Sequence, residues 1–328
     1  MTSRILDIVA IGDAIVDVIA TCDDQFLEQH RLPKGSMQLL TPEQADTLYN
    51  TMGSARETSG GSAANTMAGV AAMGGRAAFI GQTANDQLGK IFAHDIRALG
   101  VEFDTPPSDN GLPTGRCLIL VTPDAQRTMN TCPGASHTLS PEALDEALIR
   151  SAQIVMLEGY LFGPEQPRRA LYKAVEIAHA AGSQVAFTVS DSVVLDGRRQ
   201  SLMAMIEQGG IDLLFANEDE AMVLTDTGDL DGAIARLQPN IRALVITQGA
   251  AGALAIEGGK RTDVPAVQVQ KVVDTTGAGD LFAAGFLAAR AKGHGIDRQL
   301  LTGGIAAADV IGHFGARPVA DLKELVKL

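Results

Sequence analysis

One rhythm dominates the second half of the chain and limits its fold. Short β-branched apolar runs alternate with amphipathic stretches several turns long. The spacing predicts a helix over 141–150, a strand over 154–157, a helix over 164–181 and a strand over 184–189. A helix over 193–208, a strand over 212–215, a helix from Glu218, a helix over 230–237 and a strand over 243–247 follow. Parallel strands need long crossovers, and helices of this length supply them, so the segment reads as βαβ units on a parallel sheet. Apolar strands over 6–11 and 77–81, with a helix over 86–99, carry the pattern into the first half. Ligands in such sheets gather at the carboxyl ends of the strands. The polar residues found there are Asp13, Glu158, Asp191, Asn217 with Glu220, and Thr247 with Gly249.

Two regions break the rhythm. Residues 115–122 and 127–131 alternate like strands joined by a turn over 123–126. Segment 14–40 carries the apolar run 14–20 and a short strand or loop at Met37, Leu39 and Leu40. Together, segments of about 14–40 and 112–132 predict a small β lid on one domain spanning 1–328. Arg127 on such a lid either reaches a phosphoryl group or is simply solvated. Thr41 and Pro42 mark a helix start. Past Gly252 the pattern changes to short strands over 253–256 and 264–273. Final helices over 299–311 and 320–326 are split by Gly315-Ala316-Arg317-Pro318.

The run Asp274-Thr275-Thr276-Gly277-Ala278-Gly279-Asp280 stands between the apolar stretch 264–273 and a helix whose buried face is Leu281, Phe282, Phe286 and Leu287. Free N–H groups at a helix start carry partial positive charge, and glycines let an anion approach them. Asp280 sits in the first turn as an acceptor. Amides beside a carboxylate suit phosphoryl transfer, with the amides neutralising the moving group and the carboxylate taking the hydroxyl proton. A tight loop with Asp280 as a helix cap is the competing reading.

A second glycine-bounded helix start is Ser59-Gly60-Gly61-Ser62-Ala63-Ala64-Asn65. Asn65 lies one turn in and offers both donor and acceptor, as recognition of a ribose or similar polyol requires. A glycine-rich cap before a core helix is the alternative. Asp13 and Asp17 flank an apolar strand and suit a diol, or else Asp13 ends the strand and Asp17 faces solvent. Asn217 and Glu220 share a helical face and suit a hydrated Mg²⁺ with its phosphates. A helix cap with a solvated glutamate explains them equally.

Composition excludes other classes. Net charge is −13, from 26 basic and 39 acidic residues, which argues against nucleic acid as a partner. Cys22, Cys117 and Cys132 are scattered, without metal-ligand spacing, and read as reduced thiols of a cytoplasmic protein. The chain enters a strand almost at once, so no signal peptide is expected. No apolar run approaches the roughly 20 residues of a membrane span. A P-loop is absent, and no dinucleotide fingerprint follows the first strand.

The motifs over 274–280 and 60–65, with Asn217-Glu218-Asp219-Glu220 between them in the chain, resemble the ribokinase-like (PfkB) carbohydrate and nucleoside kinases over essentially the whole length. The resemblance implies an α/β, doubly wound αβα sandwich with a mostly parallel sheet and a small β lid. It implies ATP-dependent transfer to a primary hydroxyl, with Mg²⁺ and, in some members, K⁺. Asp280 then matches the catalytic base, and Gly277, Ala278 and Gly279 the anion hole. Asn217 and Glu220 match the motif tied to Mg²⁺ and phosphate, and Thr247, Gly249 and Gly252 line the nucleotide. Asp13, Asp17, Gly61, Ser62 and Asn65 match acceptor contacts. Asp274, Thr276 and Gly315 match a monovalent-cation loop.

Within the family, Gly12-Asp13-Ala14-Ile15-Val16-Asp17, Arg127-Thr128-Met129-Asn130 and Glu158-Gly159-Tyr160-Leu161-Phe162 resemble the adenosine kinases. That similarity places Ile15, Leu39, Met129 and Thr131 around a nucleobase and Arg127 near the transferred phosphate, with Tyr160 or Phe162 as an aromatic wall. Asp13 stands where many nucleoside kinases have Asn. The expectation is phosphorylation of the 5′-hydroxyl of adenosine or a related ribonucleoside. The rival is a sugar kinase acting on ribose, fructose or a keto-deoxy acid. A catalytically silent ligand-binding relative is a third reading, opposed by the intact Asp280. Monomer and homodimer both stay open.

Overall fold

The computed structural model describes residues 6–124, 126–195 and 197–328. Among the described residues fourteen strands form two sheets. The strands are β1 (Leu6–Ile11), β2 (Ile15–Thr21), β3 (Met37–Leu39), β4 (Arg56–Gly60), β5 (Ala77–Ile80), β6 (Val101–Glu102) and β7 (Gly115–Val121). They continue as β8 (Arg127–Cys132), β9 (Ala152–Glu158), β10 (Gln184–Thr188), β11 (Leu213–Asn217), β12 (Ala243–Thr247), β13 (Ala253–Glu257) and β14 (Lys260–Val264).

The larger sheet has nine strands in the order β14-β13-β12-β11-β10-β9-β1-β5-β6. It is parallel from β12 to β6, and β13 and β14 add an antiparallel hairpin at one edge. Strand order reverses between β1 and β9. Doubly wound sheets open a crevice at such a reversal. Alternation within β1 divides the core. Ile8 and Ala10 pack on the side of the helices Ser62–Ala72 and Ala278–Ala291, and Val9 and Ile11 on the side of Glu165–Ala180 and Arg199–Glu207. The result is the expected αβα sandwich.

The smaller sheet has five strands, β3-β8-β7-β2-β4. Four of them come from the two segments expected for a lid. The fifth, β4, has the polar sequence RETSG and lacks the apolar alternation that marks a strand. It pairs with β2 and leads straight into Gly61 and the Asn65 helix.

Several predicted boundaries change. The run 264–273 is not a strand. β14 ends at Val264 and pairs back on β13 through Gly258 and Gly259 at φ 58° and 77°, as a tight hairpin requires. Pro265 then removes a ladder donor, and the chain stays irregular as far as Gly277. The helix over 193–208 is a 3₁₀ turn followed by Arg199–Glu207, separated by Gly197 at φ 63°. The helix over 141–150 is a 3₁₀ turn, Pro141–Ala143, and a separate helix, Glu146–Ser151, capped by Asp145. Among the described residues no helix is long and apolar enough to cross a membrane.

Candidate active site

The helix Ala278–Ala291 begins with no side-chain cap. Gly277 occupies its N-cap position at φ 78°, a left-handed conformation in which a Cβ would sit 2.6 Å from Ala316 Cβ. Of the three residues expected to line an anion hole, Ala278 already donates its N–H to Thr275 O at 3.2 Å. The N–H groups of Gly279 and Asp280 belong to the first turn, which helix geometry leaves without intrahelical partners. Gly279 is exposed, with open space where a Cβ would stand.

Asp280 faces the helix Ser62–Ala72. Ser62 Oγ donates to Asp280 Oδ1 at 2.6 Å, and Asn65 Nδ2 donates to Oδ2 at 2.9 Å. Thr66 Oγ1 donates to the Asp280 backbone carbonyl at 3.2 Å. Burial raises the Asp280 pKa, while Ser62, Asn65 and the charge of Arg317 oppose the rise. Asn65 is 6% exposed and its Oδ1 has no partner among the described residues. Buried polar atoms are rarely left in this state. The amide spends its donor on the carboxylate and keeps an acceptor beside it for a hydroxyl.

Asp13 leaves β1 at the strand-order reversal, beside Glu158 at the end of β9. Glu158 is fully buried and accepts N–H groups from Asp13 at 3.1 Å and from Ala63 at 2.7 Å. It thereby caps the Asn65 helix, whose N-cap residue Gly61 has no side chain to do so. Burial and then the Asp13 charge push the Glu158 carboxyl well above its usual range. Ser136 Oγ donates to Asp13 Oδ1 at 2.6 Å, and His137 Nε2 stands 3.7 Å from Oδ2. Gly61 lies at φ 94° against the Asp13 carbonyl, with no room for a Cβ. None of Glu158, Ser136 and His137 is marked as a site residue by local sequence, although Glu158 is legible as a polar strand end.

A cavity of about 530 Å³ opens between the smaller sheet and the loop after residue 313. Asp17, Asn65, Arg127, Thr276 and Gly315 contribute to its wall, as do Phe314 and Arg317. The volume is in the range of small-molecule sites. Asp17 points into it, and burial raises its pKa to about 6 against the opposing charges of Arg317 and Arg127. Phe314 is 57% exposed and its ring lies 6.0 Å from the Arg127 guanidinium. Phe314 is therefore the aromatic side of the cavity. Phe162 is not an aromatic wall, because it is fully buried against Phe187 and Tyr172 in the core. Tyr160 sits half-buried in the 3₁₀ turn Gly159–Phe162, and burial raises its hydroxyl pKa.

Register places other predicted residues on the same face of the smaller sheet. Asp17, Cys117, Thr131 and Leu39 form one row, and Ile19, Ile119, Met129 and Met37 the next. Ile15 is buried, whereas Leu39 lies on the edge strand and is 63% exposed. Among the described residues Leu39, Met129 and Thr131 are not part of the cavity wall.

Arg127 reaches from β8 to the loop before Gly277. Its Nη2 lies 2.7 Å from Asp274 Oδ2, both side chains being buried, and Nη1 donates weakly to Thr276 Oγ1 at 3.5 Å. Asp274 also accepts N–H groups from Thr276 and Gly315, each at 3.0 Å. Two amides and a guanidinium hold this carboxylate, so a monovalent cation at Asp274 would share it with Arg127.

Farther along the strand ends, Asn217 caps the helix Glu218–Thr225 in a reciprocal capping box with Glu220. Glu220 Oε1 and Oε2 accept from Asn217 Nδ2 at 2.9 Å and its backbone N–H at 3.0 Å. Burial raises the Glu220 pKa to about 7, with Asp191 and Asp219 adding to the rise. Parallel register sets Asn217 beside Thr247. Gly249, at φ 55°, has open space around its Cα, and Gly252, at φ 109°, packs on the Val264 carbonyl. Among the described residues no cluster of three or more His, Cys, Asp or Glu is placed to hold a metal. Magnesium bound through nucleotide phosphates and water needs no such cluster, and the acidic group at Glu220 suits it.

Residues 6–322 match the description pfkB family carbohydrate kinase. Among solved structures the chain is similar to an adenosine kinase from Sinorhizobium meliloti, 44% identical with 98% of each chain covered and a TM-score of 0.91. It is also similar to a probable sugar kinase protein from Rhizobium etli CFN 42, 41% identical with 99% of this chain and 98% of that one covered and a TM-score of 0.92. A fructokinase from Klebsiella pneumoniae is 30% identical over 274 residues, 81% of this chain and 87% of that protein. With a match of this extent, the chain belongs to the pfkB carbohydrate kinase family, phosphotransferases that act on small sugars and nucleosides with ATP.

Proposed function

We propose that this kinase phosphorylates the 5′-hydroxyl of adenosine or a related ribonucleoside, with Asp280 as general base. The observation that carries the reading is the unpartnered, buried Asn65 Oδ1 beside the Asp280 carboxylate. An acceptor hydroxyl there has a hydrogen-bond acceptor to orient it and a carboxylate to take its proton. Asp13 and Asp17 accept from the ribose diol. Ile15, Met129, Thr131 and Leu39, outside the cavity wall in this structure, come to border the base as the smaller sheet, made of segments about 14–40 and 112–132 and completed by β4, closes over it as a lid. Tyr160 stands at the far side. Gly61 and Ser62 let the sugar approach the helix start.

As the hydroxyl proton passes to Asp280, the oxygen forms a bond to the γ-phosphorus and the bond to the β-phosphate oxygen breaks, releasing ADP. Amides at Gly277–Gly279 hold the moving phosphoryl group, chiefly those not turned inward like that of Ala278, and Arg127 adds positive charge when it exchanges Asp274 for that group. Thr247, Gly249 and Gly252 line the nucleotide. Asn217 and Glu220 would hold Mg²⁺ through water, and the ion supplies charge neutralisation at the phosphates.

The similarity to the Sinorhizobium meliloti adenosine kinase over nearly the full length supports the nucleoside. One observation favours a sugar instead. Leu39, Met129 and Thr131 stand outside the cavity wall and Leu39 is open to solvent, so they do not enclose a base, whereas Asp17, Thr58 and Asn65 on the wall offer a polyol hydrogen-bond partners. The fructokinase similarity agrees with that second reading. The test is ADP formation from Mg-ATP with adenosine, other ribonucleosides, ribose, fructose and keto-deoxygluconate in parallel. Turnover confined to nucleosides is expected. Turnover on a free sugar alone would replace the acceptor and leave the Asp280 chemistry standing.

A further inference from the structure

One arginine of the cavity wall has no task in the chemistry above. Arg317 follows Gly315-Ala316 near the end of the chain and lines the cavity with Asp17 and Asn65. Its Nη1 donates to Ala64 O at 2.8 Å, and its Nη2 to Ser59 O at 2.7 Å and Ser59 Oγ at 2.9 Å. Ser59 is itself held. Its N–H and its hydroxyl both donate to Asp95 Oδ2, at 2.8 Å and 2.6 Å. Burial alone would raise the Asp95 carboxyl, but the Ser59 donors and Arg317 keep it below the ordinary range.

These contacts join four separate pieces of the protein. Ser59 is the residue before last in β4, Ala64 is in the first turn of the Asn65 helix, Asp95 lies on the helix Gln87–Ala98, and Arg317 comes from the C-terminal segment. A guanidinium is a rigid fork, so three hydrogen bonds on its Nη atoms also fix the direction of Nε–H. That Nε–H is buried and without a partner among the described residues. The charged and titratable groups felt at Asp280 are Arg317, Asp17, Glu158 and Tyr160, with the Arg127–Asp274 pair beyond them. The charge of Arg317 opposes the burial-driven rise at both Asp280 and Asp17.

We propose that Arg317 is a positioning residue for phosphoryl transfer: clamped by Ala64 and the Ser59–Asp95 pair, its guanidinium holds the Asn65 helix and the edge of the smaller sheet around Asp280 and sets the field in which that carboxylate works. The proposal rests on Asp280 as the general base. It does not depend on which acceptor is used.

The experiment compares wild type with Arg317→Gln, Arg317→Lys and Ser59→Ala. One readout is the pH profile of kcat with whichever acceptor wild type uses. The other is the titration of Asp280 itself by ¹³C-carboxyl NMR, assigned with Asp280→Asn, which needs no acceptor. In Arg317→Gln the Asp280 midpoint and the acidic limb of kcat should both move up by about one to three pH units, the scale of losing a close opposite charge. Arg317→Lys should restore most of the midpoint but less of the rate, since an ammonium keeps the charge and loses the fork. Ser59→Ala should shift both in the same direction by less. It also serves as the test if the glutamine variant does not fold. An Asp280 midpoint unmoved in folded Arg317→Gln, or in Ser59→Ala where that variant alone folds, overturns the proposal. Absence of turnover on every nucleoside tested, with the midpoint still raised, would sink the acceptor assignment and leave this inference intact.

Discussion

Asp280, the proposed base, has its two oxygens held by two neutral donors, Ser62 and Asn65, which do not neutralise them. Asp280→Asn keeps the shape and loses the proton acceptor. Its kcat should fall by roughly 10²–10⁴-fold, the usual contribution of a general base. The acceptor should still raise the thermal midpoint of the variant, and near-normal turnover would refute the assignment. Asp17 gives a separate signature. Its pKa is raised to about 6, so the ionised, hydrogen-bond-accepting form is present above that pH and is lost below it. Acceptor KM should therefore climb as pH falls from 7 to 5, and Asp17→Asn should flatten that dependence. A KM independent of pH in wild type would remove Asp17 from the acceptor site. The residues proposed for proton chemistry are legible in sequence because they stand in compact motifs. Arg317 was not, because its partners lie more than 250 positions away, at 253 and 258 residues, and nothing near it in sequence hints at them.

At the scale of elements, the strands of the larger sheet were readable because they are apolar and evenly spaced by helices. Failures came where packing overrode local pattern. β4 is polar but is recruited by pairing with β2, and 264–273 is apolar but turned from a ladder after Pro265. Likewise Phe162 looked available from its motif and is spent on the core, while Phe314 takes the open position. The junction before the Asp280 helix is the element most exposed to error by substitution. Gly277→Ala forces a Cβ into a left-handed residue and against Ala316, so both backbone strain and a steric push apply. Destabilisation of about 1–3 kcal/mol is expected from strain of this kind, read as a lower denaturant midpoint. Turnover should fall further than stability explains, since the amides of the first turn would move. Gly279→Ala meets open space and should be nearly neutral for stability while lowering the rate. Equal effects of the two on folding would contradict the geometry.

Across the whole molecule, the two sheets meet at the candidate active site, and a buried ion pair spans the gap. Arg127 belongs to the smaller sheet and Asp274 to the loop that starts the Asp280 helix, with both side chains under a tenth exposed, at 9% and 6%. Removing one member of such a pair leaves a buried charge without compensation, which typically costs about 3–5 kcal/mol. The same pair bears on cation dependence. Asp274 in the native enzyme has its charge balanced by Arg127 and its oxygens occupied by two amides. A monovalent cation at that carboxylate would have to share it with a guanidinium. Replacing KCl by tetramethylammonium chloride at equal ionic strength should therefore leave the thermal midpoint and kcat of wild type unchanged. In Arg127→Gln the carboxylate loses its partner, and K⁺ should then raise the thermal midpoint specifically. A wild-type enzyme that gains stability or rate from K⁺ would show that the cation enters alongside Arg127, or displaces it. Insensitivity in both proteins would mean that the loop amides alone satisfy Asp274. Only the combination of an indifferent wild type and a K⁺-responsive variant identifies Arg127 as the cation built into this site.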